Sequence, residues 1–298
     1  MNWPPSDYDW PLATHSRQYL AAGHRWHLQI LGDGPSLLLL HGAGGAGQSW
    51  RHLAPLLAQR WQVVIVDLVG QGFSQAGKPH RFGLPQMAED LSSLLTRLGC
   101  QPAAIIGHSA GAAVALQMVR RDGLQKLTET TKTTPRVVAI NPALSAFGGL
   151  AGWLFPVLAR VLARAPFTAE LFSGLAGRPD KVKRLLDATG SRVNQEMCAR
   201  YLQLIRDRDH VSATLKMMAQ WDVAPLLRQL PQIEARTLML LADNDKTVPP
   251  KVGAQAAKLM KHAQVASLAG LGHLAHEEAA PTLLPLIEGF LMTPEQTR

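Results

Sequence analysis

The chain has 298 residues, of which 47% are hydrophobic and 17% charged, with a formal net charge of +8 and only two cysteines, Cys100 and Cys198. That balance excludes a disordered chain and a disulfide scaffold, and the length suits one large core with an inserted subdomain. No apolar run is long enough to span a bilayer, and the N-terminus lacks the basic and apolar regions of a secretory signal, so a cytoplasmic setting is expected.

In chain order, strands are predicted over residues 25–31, 36–40, 62–67, 103–108, 136–141, 236–242 and 264–268. The middle ones are continuous Val/Ile/Leu runs, as in strands buried on both faces of a parallel sheet. Helices are predicted over 50–58, 84–98, 109–121, 253–261 and 277–292. Alternation of strand and helix implies a doubly wound α/β sheet, with ligands beyond the carboxyl ends of the strands. Between Asn141 and Arg236 the alternation stops. Helices broken by Pro156, Pro166, Pro179 and Pro225 are expected there, giving a core of 1–144 and 229–298 with an inserted helical lid over 145–228. The lid carries twelve Lys/Arg against seven Asp/Glu, a net of +5. This excess reads first as a solvated face, then as a lure for an anionic substrate or membrane surface. No nucleic-acid recognition motif accompanies it, so no nucleic acid is expected. The Thr-rich tract 128–135 reads as an exposed loop.

Chemistry concentrates at the strand ends. Gly107-His108-Ser109-Ala110-Gly111 follows an apolar strand and opens a helix, the required setting of a G-x-S-x-G nucleophile elbow. His41-Gly42-Ala43-Gly44-Gly45 follows another apolar strand and can offer a backbone N–H to a substrate oxygen. Ala43 and Ala110 are therefore the candidate oxyanion-hole donors. A serine hydroxyl needs a general base. His273, in a Gly-rich loop after the last strand, fills that role better than His276. Asp245 in Asp243-Asn244-Asp245-Lys246-Thr247-Val248-Pro249 is the candidate acid, with Asp243 as its rival. The order Ser109, Asp245, His273 differs from the chymotrypsin and subtilisin orders. His41 and His108 read as structural, and Asp67 as ordering its own loop. His24-x-x-His27 lies within or beside an N-terminal strand and His273-x-x-His276-Glu277 fits neither H-E-x-x-H nor H-x-x-E-H, so neither a metal nor a cofactor is expected.

On these residues the chain resembles the α/β-hydrolase superfamily from about Trp26 to Leu291. Val66-Asp67-Leu68-Val69-Gly70-Gln71-Gly72-Phe73-Ser74 is similar to its D-x-x-G-x-G-x-S loop, with Gln71 where a histidine is usual. Asp9-Trp10-Pro11, Trp26-His27-Leu28-Gln29, Gly149-Leu150-Ala151-Gly152, Thr189-Gly190-Ser191-Arg192 and Met217-Met218-Ala219-Gln220-Trp221-Asp222 resemble the magnesium-chelatase accessory proteins of bacteriochlorophyll biosynthesis. The resemblance implies a hydrophobic, carboxylate-bearing substrate linked to tetrapyrrole synthesis. It further implies transient contact with magnesium chelatase, in the cytoplasm or peripheral to the photosynthetic membrane. Lid residues Phe155, Met218 and Trp221 are candidates for a pocket accepting a flat apolar ligand, against the plainer reading of a lid core. Two functions stay open: a serine hydrolase of ester or similar acyl bonds, and a non-catalytic porphyrin-binding accessory protein. An epoxide-hydrolase or dehalogenase chemistry is disfavoured because those enzymes carry aspartate where Ser109 stands.

Overall fold

The computed structural model describes residues 1, 3–4, 9–78, 80–120, 134–145 and 177–294. Residues 128–133, Gly149-Leu150-Ala151-Gly152 and Phe155 lie outside the described residues. One eight-stranded sheet runs through the molecule in the order β1-β2-β4-β3-β5-β6-β7-β8. Its strands are β1 (Ser16–Ala21), β2 (His24–Leu31), β3 (Ser36–Leu40), β4 (Gln62–Val66), β5 (Ala104–His108), β6 (Arg136–Ile140), β7 (Thr237–Ala242) and β8 (Ala263–Leu268). β1–β2 and β2–β4 pair antiparallel, and every other neighbouring pair is parallel.

The apolar strand runs form two cores because successive side chains point to opposite faces. Leu38, Leu40, Val64, Val66, Ile105, Val137 and Met239 pack on one face, and Leu37, Leu39, Val63, Ile65, Ile106, Val138 and Leu240 on the other. The first face is covered by α2 (Leu84–Leu98) and α3 (Ala110–Met118). α2 buries Leu84, Met87, Ala88, Leu91, Leu94 and Leu95, a stripe of helical period. The second face is covered by α1 (Leu53–Leu57) and by the C-terminal helix Ala280–Met292.

Between β6 and β7 the described residues form a helical insertion: α4 (Pro179–Asp187), α5 (Gln195–Arg206), α6 (Arg208–Gln220) and α7 (Ala224–Gln229). Asn194 and Asp207 cap α5 and α6, their side-chain oxygens accepting the Met197 and His210 amides, both at 2.8 Å. After β7 comes α8 (Pro250–Leu259), and after β8 the short α9 (Ala275–Glu278) precedes α10 (Ala280–Met292).

Several elements differ from the sequence expectations. β1 lies before the first expected strand and is a half-exposed edge strand without an apolar run. The helix expected over 50–58 is a 3-10 turn, Gly47–Trp50, followed by the short α1. The helix expected over 277–292 is two helices, broken at Ala279 (φ −148°), the residue that leads into Pro281 near the start of α10.

Candidate active site

Ser109 stands between β5 and α3 with φ 52° and ψ −114°, a conformation costly for any residue with a side chain. The surrounding backbone holds it there. Its amide donates to the Ile140 carbonyl at 2.9 Å, and its carbonyl accepts the Ala112 and Ala143 amides, both at 3.1 Å. The elbow glycines are required by close approach: a Cβ on Gly107 would strike Gly111 and Ala112, and one on Gly111 would strike the Leu40 and His41 carbonyls.

The base and acid candidates meet. Asp245 Oδ2 accepts the His273 Nδ1–H at 2.7 Å, while its Oδ1 accepts the Thr247 and Val248 amides at 2.7 and 2.8 Å. That bond leaves Nε2 of His273 with a lone pair able to accept a proton. Asp243, the rival acid, instead accepts the Gly270 amide at 2.7 Å. His276, the rival base, is fully buried between the rings of Trp50 and His108, and neither of its nitrogens has a partner among the described residues. Burial, with the nearby His273 and Arg51 adding to it, holds the His276 pKa well below the ordinary histidine value.

Two residues not singled out as catalytic tie the histidine loop to the sheet. His108 Nε2 donates to the His273 carbonyl at 2.8 Å, and Asn141 Nδ2 donates to the same oxygen at 2.9 Å and to Gly272 at 3.1 Å. Asn141 Oδ1 also accepts the Ala242 amide at 2.8 Å, so one side chain reaches the starts of both the acid and base loops. Burial above all drives the His108 pKa far down, with His276 and His273 contributing, and its ring is neutral. Among the described residues the Ser109 hydroxyl has no hydrogen-bond partner, so a Ser109–His273 bond is not closed in the structure.

Neither the Ala43 nor the Ala110 amide is hydrogen-bonded among the described residues. Their loop lies on the elbow, since a Cβ on Gly42 would fall 2.9 Å from His108 Nδ1 and 3.1 Å from Ser109 Cβ. Gln71, at the position where histidine is usual, takes over a structural duty. It is fully buried, its Oε1 accepts the Gly44 amide at 2.8 Å, and its Nε2 contacts Met217 Sδ at 3.2 Å. From α6, His210 adds a second brace. Its Nδ1 accepts the Gly72 amide at 3.0 Å and its Nε2 donates to Gly44 at 3.2 Å. Burial chiefly lowers its pKa to about 4, so it is neutral at pH 7.

The remaining candidates have structural partners. His41 donates to Gly42 at 2.8 Å and accepts the Leu68 amide at 2.9 Å. Asp67 accepts the Gly47 and Phe73 amides at 2.6 and 2.8 Å and the His27 Nδ1–H at 2.7 Å. Burial opposes its charge, yet His27 above all, with His41 and the Phe73 amide, brings its pKa down to about 2. Arg51 links the core to the insertion, donating to Glu277 at 2.6 Å and Glu196 at 2.7 Å, while Tyr201 donates to Glu277 at 2.8 Å. Met218 and Trp221 are half-buried, and Trp221 packs against the core on the α2–α3 face. No group of three or more His, Cys, Asp or Glu residues suited to a metal occurs among the described residues. No helix among them is long and apolar enough to cross a membrane.

The strand-end loops and the mostly parallel sheet define the class. The family model of the alpha/beta hydrolase fold matches residues 35–280, and the chain belongs to that family. Over 285 residues it is 40% identical to the magnesium-chelatase 30 kDa subunit of Rhodobacter capsulatus, covering 95% of this chain and 96% of the relative. It is 26% identical over 281 residues to a 2-hydroxy-6-oxo-6-phenylhexa-2,4-dienoate hydrolase of Burkholderia cepacia, covering 90% and 91% of the two chains. Its fold is also that of an esterase from Exiguobacterium antarcticum, with a TM-score of 0.73, 15% identity, and 93% and 99% of the two chains covered.

Proposed function

We propose that the chain is a serine hydrolase acting on an ester or similar acyl bond of a hydrophobic substrate. One observation carries the proposal: Ser109 is held at φ 52° on the strand-to-helix turn while His273 Nδ1 and Asp245 Oδ2 bond at 2.7 Å at the neighbouring strand ends. Ser109 Oγ attacks the acyl carbon as His273 Nε2 takes its proton. The resulting oxyanion accepts hydrogen bonds from the Ala43 and Ala110 amides, whose lack of other partners among the described residues supports that role. His273 then gives the proton to the leaving alcohol, and water, deprotonated by the same imidazole, releases the acid and restores Ser109. Closure of the Ser109–His273 bond belongs to the substrate-bound state, since such bonds are often loose in its absence. In this reading the helical insertion of 177–228 acts as a lid on the core, with the half-buried Met218 and Trp221 beside the acyl pocket.

The kinship with a magnesium-chelatase subunit supports a place at the magnesium-chelation stage of bacteriochlorophyll synthesis, with a tetrapyrrole as substrate and transient contact with the chelatase. Steady-state hydrolysis of 4-nitrophenyl esters of increasing chain length tests the reaction. Turnover by the wild type and none by Ser109→Ala is the expected result; no turnover of any ester by a folded wild type counts against it.

The name of that relative favours one second reading, a porphyrin-binding accessory protein without catalysis. It requires tight protoporphyrin binding, weakened by Trp221→Ala, in a protein that hydrolyses no ester.

A further inference from the structure

The turn after α4 reaches into the gap between the two loops that carry Asp245 and His273. The Thr189 carbonyl accepts the His273 amide at 3.3 Å and the Lys246 amide at 3.1 Å. The Gly190 carbonyl accepts Asn244 Nδ2 at 2.6 Å, and Ser191 Oγ accepts the Leu274 amide at 2.8 Å. Three consecutive residues therefore hold both chain neighbours of Asp245, the backbone of His273 and the residue after it. The fit is close. Gly190 has φ +83°, a Cβ there would strike the Asn244 carbonyl, and a Cβ on Gly272 would strike the Gly190 and Ser191 backbone. The turn is itself anchored: Thr189 Oγ1 donates to Leu186 at 2.6 Å and the Gly190 amide to Asp187 at 3.0 Å, both at the end of α4. Glu278 closes the outer side, accepting the Arg192 and Gly272 amides, both at 3.0 Å.

We propose that Thr189, Gly190 and Ser191 are positioning residues that set the separation and orientation of Asp245 and His273, so that the helical insertion, not the sheet alone, fixes the acid–base pair. The two loops follow different strands, β7 and β8, and bond each other directly near their starts, the Leu271 carbonyl accepting the Asn244 amide at 3.0 Å and Asp243 Oδ1 the Gly270 amide at 2.7 Å. The bonds to Thr189 and Gly190 span the gap, and the bond to Ser191 stops the histidine loop from sliding along it. A misplacement of about 1 Å in such a pair can lower turnover by roughly 100-fold without touching substrate binding. The proposal rests on the assignment of Asp245 and His273 as acid and base.

Ser191 supplies the test because its hydroxyl is the one side-chain contact in the clamp to the histidine loop. Ser191→Ala removes the acceptor for the Leu274 amide; Ser191→Thr keeps it. With 4-nitrophenyl butyrate, Ser191→Ala should lower kcat by roughly 10- to 100-fold with KM changed less than about 2-fold, and Ser191→Thr should restore most of it. In proton NMR, the low-field resonance of the His273 Nδ1–H bonded to Asp245 should broaden or vanish in Ser191→Ala and return in Ser191→Thr. Wild-type kcat together with an unchanged low-field proton in Ser191→Ala would overturn the clamp, even if that variant melts earlier. The resonance is read without turnover. If the wild type hydrolyses no ester, the hydrolase assignment fails, while the proton still decides the clamp. Should Ser191→Ala not fold, slow exchange of the Leu274 and His273 amides in the wild type supports the clamp, and fast exchange of both overturns it.

Discussion

The His108 Nε2–H donates to the His273 carbonyl at 2.8 Å, so the residue before the candidate nucleophile holds the backbone of the candidate base. The same ring lies 4.7 Å from the His273 ring and 4.4 Å from that of His276, packed between them. His108→Ala removes the donor and leaves a cavity, with Asn141 alone on the carbonyl. Loss of a buried hydrogen bond and of ring packing should cost about 2–4 kcal/mol, read from urea unfolding midpoints. A variant as stable as the wild type would show that the contact holds nothing.

The two imidazoles of the histidine loop should behave oppositely. His273→Ala should abolish ester turnover to the same degree as Ser109→Ala, and the double variant should lose no more, since such residues act as a unit. His276→Ala should destabilise the fold, because that ring fills buried space beside Trp50, while the folded fraction keeps its activity. Inactivation by His276→Ala with His273→Ala active would reverse the assignment.

The carboxylates separate in the same way. Asp245→Asn cannot hold the His273 Nδ1–H as a carboxylate does, and turnover should fall by about 10⁴ if other triads are a guide. The Asp243 side chain accepts only the Gly270 amide among the described residues, and Asp243→Asn should stay within a few-fold of the wild type. Steady-state kinetics of the two variants on one ester decide between them.

The contrast between Asp245 and Asn141 shows what can be read from a chain and what cannot. Asp245 was accessible because an acid after an apolar strand, followed by Val248-Pro249, has a recognisable setting. The central strands were accessible for a related reason, since residues such as Leu37 to Leu40 are buried on both faces and leave an unbroken apolar run. Asn141 carries only the signal of a strand end before a proline, yet its amide joins loops about 100 and 131 residues away. β1 has no apolar run because it is a half-exposed edge. In the sequence His27 shows only its spacing from His24, whereas its partners, Asp67 and Ser16, are brought to it by strand pairing. Thr189-Gly190-Ser191-Arg192 stood out only by resemblance, and its contacts with Asn244 and Leu274 appear once the insertion is folded against the sheet.

Stability should fall in mild acid. His210 is neutral in the folded protein with a pKa of about 4, lowered chiefly by burial, against about 6.5 for a free histidine. Between those values the unfolded chain binds a proton that the folded chain does not. The contribution is therefore complete above about pH 6.5 and is lost as pH falls toward 4, with no further loss below. For His210 this amounts to about 3 kcal/mol, and His41, His108 and His276, all shifted downward, act in the same direction. Urea midpoints measured from pH 7.5 to 4 should drop across this window, with a shallower drop in His210→Gln. A flat profile would contradict a neutral His210 bracing Gly44 and Gly72.

The central claim, that Ser109 is an activated nucleophile, is tested most directly by covalent labelling with a fluorophosphonate followed by intact-mass and peptide analysis. The expected result is a single adduct on the wild type, located on Ser109, absent in Ser109→Ala and formed far more slowly in His273→Ala. A folded wild type that takes up no label, or takes it up equally well without Ser109 or His273, would contradict it.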